Sequence, residues 1–503
     1  MELSIALEKF NERLRLTNAY THALGIMSFD AETIAPKNSV EGRAKVYKVF
    51  SEINYKMTVN EDYFEVLDTL EANFDKLDDI KKREVELAVI SLKQIRHIPM
   101  DEFTEYRSTI AYSQNAWVEA KRKNDYSIFA PYLEKIIAFH RRVASLVAPE
   151  MDPYDYWLDQ YEQDLSTKTL DVFFNKVRES LVPLIRKVSK KGDIIRTDFL
   201  GRHCPIEIQR KLSDEVMKLM HINRDDCAIS ESEHPFTIEI NKHDVRITTH
   251  YHEENLISNL YSVIHESGHA LYELNTGDDL IDTALAGGTS MSVHEAQSRF
   301  YENIIGRSRA FVEILFPKIK ELLPEQYADV SIDEFYRAVN RAQPSLKRTN
   351  ADELTYAMHI MVRYELEKRM MHGDITVDEL PMEWNRLYKE YLGIDVPSNS
   401  DGILQDIHWG GGMIGYFPSY ALGSAYGAQI KCTVEKELDF DKLIRDDRID
   451  EITEWLTEKI YRFGRLLKPG DAVKAATGKD FDPQYFIDYL TDKYTAIYGL
   501  DKE

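Results

Sequence analysis

The chain has 503 residues, with 63 Lys and Arg against 86 Asp and Glu, for a formal net charge of −23. That charge repels phosphate backbones and anionic lipid headgroups, so nucleic acid and membrane surfaces are disfavoured as partners. With 22 glycines and 16 prolines over this length, punctuation is sparse, which favours long helices and a mainly α body over many short strands.

Cys204, Cys227 and Cys432 form no C-x-x-C spacing, which argues against a disulfide framework and against a thiolate metal site. The N-terminus meets Glu8, Lys9, Glu12 and Arg13 too early for the apolar core of a signal peptide. No uncharged stretch reaches the roughly 18 residues of a membrane span. A cytoplasmic protein is expected.

Leu3, Leu7, Phe10 and Leu14, with charged residues between them, give an opening helix with one apolar stripe. Similar patterns predict helices over 43–56, 80–96 and 109–123, separated by short polar turns such as Ala35-Pro36-Lys37-Asn38. The rhythm breaks at Phe236, Ile238 and Ile240, which alternate with Thr237 and Glu239. Asn241 to Asp244 then supply turn chemistry, and Val245 to Thr248 resume in extended form, so a β-hairpin is expected. An edge strand there suits an extended peptide as well as it suits simple core cover. Helical period returns over 254–275, and the mixed-charge run Glu437 to Asp450 reads as a solvated helix face and linker.

The helix over 254–275 carries His265-Glu266-Ser267-Gly268-His269. Histidines four apart lie one above the other on an α-helix and reach one tetrahedral Zn²⁺ together. Glu266 projects about 100° around the axis from His265, beside the open coordination position where water binds. A third ligand is required. No histidine follows at the metzincin position, but Met291-Ser292-Val293-His294-Glu295-Ala296-Gln297 offers a carboxylate 26 residues after His269. On spacing alone Glu295 suits either metal ligation or, with Ser292, a capping box.

Several motifs in order resemble the Taq-type thermostable metallocarboxypeptidases. Phe29-Asp30-Ala31-Glu32-Thr33 with Pro36 is similar to W-D-x-E-T-x-x-P, with Phe29 in place of Trp. Asp244 to Thr248 matches D-x-R-x-T, His265 to His269 H-E-x-x-H, and His294 to Gln297 resembles H-E-S-Q with Ala296 in place of Ser. Arg348 to Asp352 fits R-x-x-A-D after Lys347, where Ile is typical. Gly402 to Trp409 matches G-x-x-Q-D-x-H-W.

The resemblance implies a mainly helical single domain over 1–503 with a deep groove and a small sheet beside the metal site. Residues 1–200 would form the helical lid and wall, 235–430 the catalytic core and 431–503 the C-terminal helices. It further implies Zn²⁺, one per subunit and replaceable by Co²⁺, with Glu295 as third ligand, a homodimer, and release of single residues from free peptide C-termini with Pro disfavoured. It points to Arg348 for the terminal carboxylate, which the planar guanidinium fork of Arg suits; Arg246 is a second candidate, unless it serves a structural ion pair. His408, Tyr416 and Tyr420 are candidate oxyanion donors, and equally candidates for hydrogen-bonded core residues. Asp352 and Asp406 suit either support of the metal histidines or helix capping. The rival readings are a zinc oligo-endopeptidase on a related helical fold, and an inactive helical scaffold, against which the intact ligands and base count.

Overall fold

The computed structural model describes residues 1–500. It is 70% helical, with 20 α-helices and one three-stranded sheet among the described residues. The opening helix runs over Leu3–Thr33, and the predicted helices appear as Val40–Thr58, Asp79–His97 and Met100–Lys123. No helix among the described residues is long and apolar enough to cross a membrane. All three cysteines are unpaired.

The expected hairpin is present as β2 (Thr237–Asn241) and β3 (Asp244–Thr249), antiparallel with Ile238 opposite Arg246. A further strand, β1 (Cys227–Glu231), pairs parallel to β3 with Cys227 opposite Val245. Its sequence, CAISE, lacks the β-branched alternation that marks a strand. The order β1-β3-β2 leaves β2 at an edge, where Thr237, Ile238 and Glu239 line a cleft of about 920 Å³.

The centre of the molecule is a stack of helices. Met291–Arg299 lies between Leu256–Leu274 on one side and Pro418–Glu437 on the other. Two glycines set this spacing. A Cβ on Gly268 would stand 2.7 Å from the Gln297 carbonyl oxygen, and one on Gly423 would stand 2.7 Å from Glu295 Cγ, closer than packed atoms approach. The helix carrying Glu295 is thus pressed against the histidine-bearing helix, and a larger residue at either contact would have to displace it.

A continuous core extends from Ile98 to Tyr498. A smaller, separate cluster holds Ala6, Phe10, Tyr63, Val66, Leu67, Leu70, Leu77, Val85 and Leu92, so the N-terminal helices pack on one another as a layer beside the cleft. The run Glu437 to Asp450 departs from the expected linker. It contains a short helix, Phe440–Arg445, whose Phe440, Leu443 and Ile444 are buried, while Arg445 pairs with Glu313 at 2.7 Å. The dense charge there masks an apolar triplet that ties the segment to the core.

Candidate metal centre

Asn255 caps the Leu256–Leu274 helix by accepting from the Ser258 N–H, and Leu256, Leu260, Val263, Ile264 and Leu271 bury one side of it. This fixes the rotation that sends His265 and His269 toward Met291–Arg299. That helix is capped by Ser290, which accepts from the Val293 N–H at 3.1 Å. The capping-box alternative for Ser292 and Glu295 therefore fails: the cap lies two residues earlier, and Glu295 is free to face the histidines.

His265 Nε2 and His269 Nε2 lie 3.7 and 3.6 Å from Glu295 Oε2, and one ligand atom from each residue falls within 4.8 Å of the others. Two donors on a tetrahedral zinc at roughly 2.0–2.1 Å stand about 3.3 Å apart, so the three groups are spaced for an ion rather than for direct hydrogen bonds. Two imidazole nitrogens and a carboxylate oxygen form the donor set of a catalytic zinc. The residues fit the metal.

Glu295 and His265 are each oriented from behind. Glu295 Oε1 accepts from Arg299 Nε at 2.8 Å, and Oε2 accepts from the Ser298 hydroxyl at 3.0 Å. His265 Nδ1 lies 2.8 Å from Glu302 Oε2, and Glu302 also accepts from Arg299 and Arg307 at 3.3 and 3.1 Å. Glu302 sits in a π-helical turn, Phe300–Ile305, a rare local widening that recurs at functional sites; here it swings Glu302 back toward His265. Burial disfavours charge on both carboxylates, but Arg299, with His265, outweighs it and holds Glu295 and Glu302 below the usual carboxylate range. Burial drives His269 well below the ordinary histidine value.

Glu266 is 6% exposed, and its Oε2 accepts from the Thr237 hydroxyl at 2.5 Å. Burial raises its pKa, with His265 and Thr237 opposing. Thr237 thus joins the sheet edge to the candidate base.

The candidate oxyanion donors cluster together. The His408 ring centre is 5.7 Å from that of Tyr416, and Tyr416 is 5.1 Å from Tyr420. Burial pushes His408 down to about 4 against the pull of Asp406, so its imidazole is neutral at pH 7. Burial raises Tyr416, with Tyr420 opposing and the negative charge of Glu295 adding.

Arg348 is buried behind this cluster. Its Nε and Nη2 donate to Asp406 Oδ1 at 3.3 and 3.0 Å, and its Nη1 donates to the Tyr356 hydroxyl at 3.1 Å. The guanidinium carbon lies 4.9 Å from the Tyr420 ring centre. Arg363 Nε donates to the other oxygen of Asp406 at 2.8 Å. Asp406 therefore holds two arginines rather than a metal histidine, and Asp352 caps the Glu353–His372 helix through the Thr355 N–H. Arg246 is forked onto Asp244, both bonds 2.7 Å, and lies 5.1 Å from the Phe29 ring centre. Phe29 in turn packs edge-on against Phe236 at 6.1 Å, so phenylalanine fills the place of the usual tryptophan within an aromatic contact.

The groups that sequence reasoning left without a role are Arg299, Glu302, Glu273 and Thr237. Arg299 stands four residues after Glu295, a helical pairing distance, and was findable; Glu302 follows only from the π-turn.

The sequence model of the carboxypeptidase Taq (M32) metallopeptidase family matches residues 9–494. The chain belongs to this family. It is 40% identical over 501 residues to carboxypeptidase 1 of Bacillus subtilis, covering 99% of this chain and 100% of that one. It is 34% identical to thermostable carboxypeptidase 1 of Pyrococcus furiosus over 95% and 96% of the two chains. Among solved structures, the M32 carboxypeptidase of Deinococcus radiodurans superposes with a TM-score of 0.93 at 33% identity, over 98% and 100% of the two chains. The family is one of metallopeptidases, and His265, His269 and Glu295 are the group of histidine and carboxylate residues among those described that is arranged to hold an ion.

Proposed function

We propose that the protein is a zinc-dependent carboxypeptidase that removes single residues from the free C-termini of peptides, with broad side-chain preference and proline disfavoured. The observation that carries this reading is the convergence of His265, His269 and Glu295 on one point with Glu266 held alongside. Relatives named carboxypeptidases along nearly the whole chain support it. Zn²⁺, one per subunit, is the proposed metal, with Co²⁺ as a substitute, and the proposed working form is a cytoplasmic homodimer.

What bound zinc supplies is Lewis acidity, which polarises the scissile carbonyl and lowers the pKa of water toward roughly 7. The protein does the rest. An extended peptide adds along the edge of β2, where main-chain groups of the strand meet it. Glu266, oriented by Thr237, accepts the proton of the attacking water and passes it to the leaving amine. Tyr416, Tyr420 and neutral His408 offer hydrogen-bond donors to the developing oxyanion, a kind of contact worth about 2.7–4 kcal/mol. Asp406 and Tyr356 occupy three of the five N–H groups of Arg348, which leaves two for the terminal carboxylate. Arg246, engaged by Asp244, is the weaker candidate for that contact.

The test uses protein stripped of metal and reloaded with Zn²⁺ or Co²⁺, given matched peptides with free or amidated C-termini, and products followed by mass. Stepwise shortening of the free peptide alone is expected. Glu266→Gln should lower kcat at least about 10²-fold while Zn²⁺ stays bound. Internal cleavage of both peptides would replace this reading with the endopeptidase.

A further inference from the structure

The two candidate histidine ligands are supported in different ways. His265 turns its Nδ1 directly to a carboxylate, Glu302. His269 meets none. Its Nδ1 lies 2.5 Å from the Nδ1 of His294, and the Nε2 of His294 lies 2.5 Å from Glu273 Oε1. Glu273 is 7% exposed, and its Oε1 also accepts from the Gly288 N–H at 3.4 Å. The His294 ring has two ring neighbours, His269 at 4.6 Å and Tyr272 at 5.3 Å between ring centres, which restrict its orientation.

The hydrogen-bond chemistry of this row permits one arrangement of neutral rings. An ionised carboxylate only accepts, so the proton of His294 lies on Nε2. A neutral imidazole carries a single N–H, so His294 Nδ1 is an acceptor, and the partner 2.5 Å away must be the donor. His269 then carries its proton on Nδ1 and presents a lone pair from Nε2, the atom 3.6 Å from Glu295 Oε2. Reversing any one bond would put two donors or two lone pairs face to face.

We propose that His294 and Glu273 are positioning residues that hold His269 in the tautomer and orientation able to ligate the metal. They do for His269, across two bonds, what Glu302 does for His265 across one. Ligating histidines depend on such partners, and removing one commonly costs 10–100-fold in metal affinity. The inference rests on the metal reading of the site, and the experiment separates the two.

Zn²⁺ affinity is measured on the full chain by competition with a chromophoric chelator, and the ligand field by the visible spectrum of the Co²⁺ form. Thermal unfolding of the metal-free protein is followed alongside. His294→Phe, which keeps the ring and removes both nitrogens, should weaken Zn²⁺ binding about 10–100-fold and shift the Co²⁺ spectrum, with unfolding of the metal-free protein unchanged. His294→Asn, whose Oδ1 stands where Nδ1 accepts, should recover most of the loss. Glu273→Gln should fall between them, since an amide no longer dictates which nitrogen of His294 carries the proton. Zn²⁺ binding indifferent to His269→Ala overturns the metal reading and this inference with it. Binding that needs His269 yet is unchanged in His294→Phe and Glu273→Gln overturns the inference alone. So does an affinity loss that His294→Asn fails to rescue and that tracks a fall in metal-free stability.

Discussion

The helices around the candidate metal centre and the helices of the N-terminal layer are built by different rules. Met291–Arg299 is clamped between two helices at close glycine contacts, and Val293, Ala296 and Ser298 on it are fully or nearly fully buried. Across the cleft, Val40–Thr58 buries no residue at all. The layer carries its own small core and meets the body through the Phe29–Phe236 contact and through polar contacts. Glu84 accepts from the Ala284 N–H at 2.9 Å, Arg83 Nε donates to the Arg465 carbonyl at 2.9 Å, and Asn18 donates to the Asp282 carbonyl at 3.0 Å. Sub-ångström placement of ligands needs dense packing that leaves no room for drift. A groove wall needs only to stand in the right place. Substitutions in the two regions should therefore separate stability from metal binding.

The largest effect expected from that separation is in the layer's own core. Leu70 is fully buried, and Leu70→Ala should cost about 2–5 kcal/mol locally. Hydrogen exchange and limited proteolysis should show the segment 3–97 opening, while Zn²⁺ affinity of the body holds. A parallel loss of Zn²⁺ would mean the two regions fold as one unit. Gly268→Ala should act the other way round. The added methyl group meets the Gln297 carbonyl, overpacking of about 1–3 kcal/mol, and it pushes Glu295 away from the histidines. A modest fall in thermal stability with a disproportionate loss of Zn²⁺ binding is expected. Equal affinity in Gly268→Ala and wild type would show that the clamp does not set the ligand spacing.

The sequence discloses these regions unevenly, and for physical reasons. The i, i+4 spacing of His265 and His269 is a local property of one helix, and the apolar stripe from Leu3 to Leu14 is another, so both are legible without tertiary information. Glu295 is ambiguous locally, and only the order of motifs along the chain assigns it; Ser290 rather than Ser292 turns out to cap its helix. Glu302 is brought to His265 by a π-turn, which changes the residue count per turn and has no signature in hydrophobic period. The pairing of Arg348 with Asp406 joins residues 58 apart, so each appears in its own motif with no sign of the other. β1 is missed because its alternation is weak, and it is held by pairing with β3 rather than by its own composition.

The smallest predicted effect probes the outer face of the layer. Val40, Val46 and Val49 are 59%, 41% and 53% exposed on a helix with no buried side chain. An exposed valine contributes little packing, and serine has similar helix propensity, so Val49→Ser should change stability by no more than about 0.5 kcal/mol. The measurement is a denaturant midpoint compared with wild type over a range of protein concentrations. A loss well above about 1 kcal/mol would be too large for a side chain with so few neighbours. If that loss grew at higher protein concentration, the face would be covered in solution by a second copy, as in the proposed homodimer, because mass action adds association energy to apparent stability. An effect near zero at every concentration would leave the layer as a wall with a bare outer surface and exclude this face as the contact of the proposed homodimer.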